Sequence, residues 1–146
     1  MVEVMLSMMI FVVMILVFGA VFPFALHTAA FSNNYAQAAL VAQHKIDQLQ
    51  NAGYARMDYN DLSSLGIIDT SINPNSPYTF TGVDNLVGNG GNPGFFATGS
   101  AGIVTIVDYN TLNPGVLPGN MAYATVTINW TSYTGSVGTY STSIIL

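Results

Sequence analysis

Residues 4–26 read VMLSMMIFVVMILVFGAVFPFAL, an apolar run broken only by Ser7, Gly19 and Pro23. Its length matches the roughly 20 residues that cross a bilayer as a helix. It holds fourteen Val, Leu, Ile and Phe residues. At roughly −0.3 to −0.6 kcal/mol each, these favour insertion by on the order of −4 to −8 kcal/mol, even with Glu3 at the edge of the run. A secretory signal peptide has a basic start and a shorter apolar stretch of about 7 to 15 residues, so the run reads instead as a span. A helix apolar all round is also more than a small domain can cover. Membrane, or a bundle of like helices, is the better solvent for it.

Beyond His27 the pattern changes period. Phe31, Tyr35, Ala38, Ala39, Ala42, Ile46 and Leu49 recur at three and four, with Asn34, Gln37, Gln43, Asp47 and Gln50 between them. This spacing predicts an amphipathic helix continuing the first. Asn51, Ala52 and Gly53 supply the stop, glycine tolerating a left-handed cap. Residues 1–53 therefore read as one helix, with 1–26 as the membrane or core half and 27–53 as the amphipathic half.

Residues 54–146 read as a β-rich head. Asp61 is a candidate N-cap for a short turn through Leu65, and Pro74, Pro77 and Gly82 punctuate the stretch beyond that turn. Strands are predicted at Tyr78 to Val83, Gly102 to Tyr109, Ala122 to Trp130 and Val137 to Ile145, the last two joined by a turn over Thr131 to Ser136. The expected fold class is α+β: a long N-terminal α-helix, half transmembrane and half amphipathic, packed on a small antiparallel sheet of about four strands. One sheet face should cover the stripe Tyr35, Ala38, Ala39, Ala42, Ile46 and Leu49, since neither surface is otherwise buried in so short a chain.

Of the 146 residues, 51% are hydrophobic and 6% charged, against about 25% charged in an average soluble protein. Asn, Ser, Thr and Gly crowd the head instead, hydrating a surface without making it repel its own copies. Net charge is −5 and Lys45 and Arg56 are the two basic residues. No positive patch exists to follow a phosphate backbone, which disfavours nucleic acid as a partner. The chain has no cysteine, which excludes disulfides and thiol chemistry.

The start Val2-Glu3-Val4-Met5-Leu6, the apolar run, the segment AALVAQHKIDQLQ at 38–50 and Gly53-Tyr54 together resemble type IV pilins and type II secretion pseudopilins. The strand containing VTINW, 126–130, is similar to those of minor pilins. The likeness covers the first 55 residues well, the strand pair loosely, and 60–120 not at all. It implies a homo-oligomeric helical filament, an inner-membrane stage before assembly, processing by a prepilin peptidase, and an assembly machinery as partners. It implies no cofactor. The lack of a basic leader agrees with a processed chain.

The same resemblance gives Met1 and Glu3 an assembly role, a glutamate near the start of the span pairing with the terminal amine of an adjacent subunit. In the family this glutamate stands fifth, and here it stands third. Helix positions one and five are about 40° apart around the axis, whereas one and three are about 200° apart. Either the pairing is strictly between subunits or two residues precede Met1 in the mature chain. Independently of any family, a carboxylate taken into an apolar bundle must be neutralised or paired. The milder alternative leaves Glu3 at headgroup level, favoured by the helix dipole at about 0.3 to 1 kcal/mol.

Pro23 cannot bond the carbonyl of Gly19, so the helix should be weak between Val17 and Phe24. Pilin filaments lose helix in this region on assembly. By resemblance, Gly19, Ala20, Val21, Phe22 and Pro23 form a helix-melting segment in the filament, a plain kink being the simpler alternative.

Chemistry is sparse. His27 and His44 stand seventeen residues apart without carboxylate partners in sequence, which suits packing or interfacial roles better than catalysis. Asp58 and Asp61 follow the helix in a polar stretch and read as solvated. Asn129-Trp130-Thr131 fits the N-glycosylation pattern, but inside a predicted strand. Some pseudopilins carry calcium, which makes Asp84, Asn85, Asn89 and Asn92 of DNLVGNGGNPG weak ligand candidates. The spacing is not that of a known calcium loop, and a flexible Asn/Gly loop is the simpler account. No constellation supports an enzyme. The expected function is structural, as a pilus-like filament subunit. A secretion pseudopilin is the alternative within the family, and a single-span anchored binding module the alternative outside it.

Overall fold

A computed structural model describes residues 2–70, 75–88, 94–108, 121–132 and 135–146. The chain is α+β. Helix α1 spans Val2–Ala52, a single 3₁₀ turn spans Tyr54–Arg56, and α2 spans Tyr59–Ser64. Strands β1 (Tyr78–Thr79), β2 (Ala101–Asp108), β3 (Ala122–Thr131) and β4 (Val137–Ile145) complete the order. They form one antiparallel meander in the order β1-β2-β3-β4. Two compact units emerge, Met1–Asn33 and Asn34–Leu146, so the later part of α1 belongs to the head.

Gly53 ends α1 as its spacing suggested. Its φ is +73° with an extended ψ of 163°, open to glycine and hostile to other residues. Its N–H still bonds the Leu49 carbonyl at 3.1 Å. The cap of α2 differs from expectation. Asp58, not Asp61, is the N-cap, its carboxylate accepting from Asn60 N at 3.4 Å. Asp61 sits in the first turn, where an acid suits the helix dipole.

β3 alternates strictly, with Ala122, Ala124, Val126, Ile128 and Trp130 buried and the intervening residues half-exposed. This is the period-two signature of a strand with one covered face. Inward residues of β2 and β3 join Ala38, Ala42, Ile46 and Leu49 of α1 in a single core that also takes in Leu62, Ile67, Ile68, Phe80, Leu86 and Phe96. Two alanines in the α1 stripe let the helix approach the sheet closely. Ile46 and Leu49 then contribute about 1.5–3 kcal/mol each by leaving water.

The first predicted strand is much shorter than Tyr78 to Val83. Pairing stops after Thr79, with one further bond from Phe80 N to the Gly102 carbonyl at 3.0 Å. The cause is Asp69. Its carboxylate accepts from Gly82 N at 2.9 Å and Val83 N at 2.8 Å, taking the amides a longer ladder would have used, and residues 81–85 turn instead. Tyr109, Pro74, Asn89 and Asn92 lie outside the described residues.

Candidate functional site

Between Val4 and Leu26 every Val, Leu, Ile, Met and Phe side chain is 50–75% exposed. No side of this helix is polar, so the exposure is all round rather than along a stripe. By length and composition α1 is able to cross a membrane. Two of its hydroxyls bond back to the helix. Ser7 Oγ donates to the Glu3 carbonyl at 2.8 Å, and Thr28 Oγ1 to the Phe24 carbonyl at 2.9 Å. Back-bonding of this kind lets a hydroxyl enter an apolar medium without an unsatisfied donor.

Glu3 lies in the first turn of α1 and, among the described residues, enters no ion pair. Met1 falls outside the described residues. The isolated chain is helical through Gly19, Ala20, Val21, Phe22 and Pro23. Pro23 nonetheless leaves the Gly19 carbonyl without its intrahelical donor.

In the head, Ala38, Ala42, Ile46 and Leu49 are buried, Ala39 is half-buried, and Tyr35 remains 47% exposed. Tyr35 is nevertheless held, its ring meeting Trp130 edge-on at 6.1 Å and Tyr140 at 5.4 Å. Trp130 in turn stacks on Phe96 at 5.9 Å.

Lys45 is the residue that periodicity passed over. It is fully buried; Nζ forms an ion pair with Asp84 Oδ2 at 2.7 Å, donates to Ile67 O at 2.6 Å and Gln48 Oε1 at 2.8 Å, and lies 4.9 Å from the centre of the Phe80 ring. Burial pushes its pKa below the ordinary lysine range, while the hydrogen bond and charge of Asp84, and the charge of Asp69, pull it back up. The signal was available in the sequence. Position 45 falls in phase with Ala38, Ala42 and Leu49, so a lysine there needed a partner.

Asp84, one of the weak calcium candidates, is paired through Oδ2 with Lys45, and among the described residues no group of three or more His, Asp or Glu could hold a metal ion. With Lys45 buried, Arg56 is the one basic side chain on the surface. His44 is exposed and contacts Gln48 Nε2 at 3.1 Å. Asn129 lies within β3 and accepts from Thr139 Oγ1 at 2.8 Å, so its amide is engaged in the sheet surface. Comparison with known proteins yields no match to any family model, curated protein or solved structure.

Proposed function

We propose that this chain is a structural subunit of a type IV pilus-like filament, waiting in the inner membrane and then polymerising through α1 with its heads exposed at the cell surface. The observation that carries the reading is the helix exposed on every side from Val4 to Leu26 with a carboxylate at its start. A tether needs the apolar length but has no use for Glu3. A bundle of like helices gives both features a purpose, since packing buries the apolar sides and a second subunit supplies the cation. The chain has no Lys or Arg before residue 45. In the resembled family that cation is a terminal amine.

Glu3→Ala tests the reading. Purified from detergent, the parent chain is expected to form filaments visible by electron microscopy, and Glu3→Ala to form few or none. Failure of the parent chain to form filaments would leave the apolar helix as a mere anchor for a binding head, and equal assembly of the two would remove Glu3 from the contact. Long filaments in sheared surface material separate a pilus from the short pseudopilus of a secretion system.

A further inference from the structure

β4 is the outermost strand of the sheet, and among the described residues no strand pairs with its outer side. Ala122 and Leu146 exchange both backbone bonds at 2.9 Å, which sets the parity of the ladder. Gly138, Tyr140, Thr142 and Ile144 turn their amides and carbonyls toward β3. Val137, Thr139, Ser141, Ser143 and Ile145 turn theirs outward. All five are exposed, and their side chains share the solvent face.

Natural sheets protect such an edge by keeping it short, by a bulge, or by Lys or Pro. β4 has none of these. It is nine residues long, its register with β3 is unbroken from Tyr123↔Ile145 to Thr131↔Val137, and residues 109–146 contain no charged side chain. The opposite edge is treated differently, with β1 pairing to β2 and Ser76 Oγ accepting from Ile106 N at 3.1 Å.

The outward residues read the same in both directions: apolar, hydroxyl, hydroxyl, hydroxyl, apolar. About a two-fold axis at Ser141, Val137 meets Ile145, Thr139 meets Ser143, and Ser141 meets Ser141. Val137 and Ile145 are the two exposed large apolar residues of β4, at 73% and 53%. This register sets each against the other at both ends. A slip of two residues either way leaves one of them against a hydroxyl or beyond the end of the pairing.

We infer that β4 pairs antiparallel with β4 of a second copy of this chain in that register, joining two four-stranded sheets into one. A two-fold contact of this kind closes on itself and gives a dimer. It does not propagate along a filament whose subunits all point the same way, and there it would tie two filaments together. The inference stands without the filament reading.

The chain lacks cysteine, so single introduced cysteines report the register. Directly opposed residues exchanging both bonds have Cα atoms about 5.5 Å apart, within disulfide reach. The test uses the full chain in detergent with Glu3→Ala, which removes the assembly contact. Ser141→Cys is expected to oxidise to a linked dimer on the order of tenfold faster than Ala55→Cys, an exposed position on the 3₁₀ turn. A mixture of Thr139→Cys and Ser143→Cys chains is expected to link faster than either alone. The inference is overturned if Ser141→Cys links no faster than Ala55→Cys, or if Thr139→Cys alone links as fast as the mixture.

Discussion

Lys45 shows how much a single residue can decide. Removing an ion's partner in a covered site costs about 3–5 kcal/mol, because the remaining charge stays buried without compensation. Asp84→Ala should therefore destabilise the head by about that amount near neutral pH. The pH dependence follows from the direction of the Lys45 shift. Burial already holds the folded pKa below the ordinary value, and losing Asp84 removes the main influence raising it. Between that lowered pKa and about 10.4, the unfolded chain binds a proton the folded chain does not, so stability climbs with pH. Tyr78 is shifted upward by burial and by the charge of Asp58. It acts in the opposite sense above about pH 10, but equally in parent and variant. Urea midpoints of Asp84→Ala in detergent should thus recover between about pH 7 and pH 10 more than the parent's do. Adding Lys45→Met should restore much of the loss at neutral pH, since an apolar side chain needs no partner. A midpoint indifferent to pH in Asp84→Ala would mean that Lys45 escapes to water. Ala38, Ala42, Ile46 and Leu49 were legible from spacing alone, whereas Tyr35 and Ala39 of the same stripe stay exposed and half-buried. The Lys45–Asp84 pair was not, because which loop folds over a helix is a property of tertiary structure.

At the scale of elements, long and strongly periodic segments read true and short ones did not. β4 runs from Val137 to Ile145 as its alternation predicts, and β3 gains only Thr131 at its end. β1 failed because a remote carboxylate, Asp69, competes for its amides, and no local pattern announces a competitor many residues away. Two glycines that look like weak points in strands turn out to be seats for aromatic rings. A Cβ on Gly102 would overlap Phe80 and Leu86, and one on Gly138 would overlap the Trp130 ring across the β3–β4 ladder. Gly138→Ala should cost about 1–3 kcal/mol as overpacking. Trp130 is the one tryptophan of the chain, so its fluorescence reports the site directly. A lowered unfolding midpoint with an altered emission maximum is expected, and an unchanged pair of values would show that the ring moves aside freely. Gly19 differs, since a Cβ there meets nothing within 4 Å. Standing four residues before Pro23, it weakens α1 without any steric demand.

For the molecule as a whole, the governing quantity is how little charge is available for association. Charged residues make up 6% of the chain, one of its two cations is locked inside the head, and the last 38 residues carry no charged side chain. Surface ion pairs are screened within about 8 Å at physiological ionic strength and about 3 Å at 1 M. An assembly held by such pairs loosens as salt rises. One held by apolar burial does not, and salts excluded from protein surfaces strengthen it. The one ion pair the filament reading requires, at Glu3, would be enclosed by neighbouring helices and so protected from screening. Assembled material should therefore pellet equally from buffers of low and of about 1 M sodium chloride. Detergent, which offers α1 another apolar solvent, should dissolve it. Sedimentation across a salt series and a detergent series measures both. Release into the supernatant by salt alone would place the holding contacts among exposed charges, of which this chain has few, and would count against α1 as the core of the assembly.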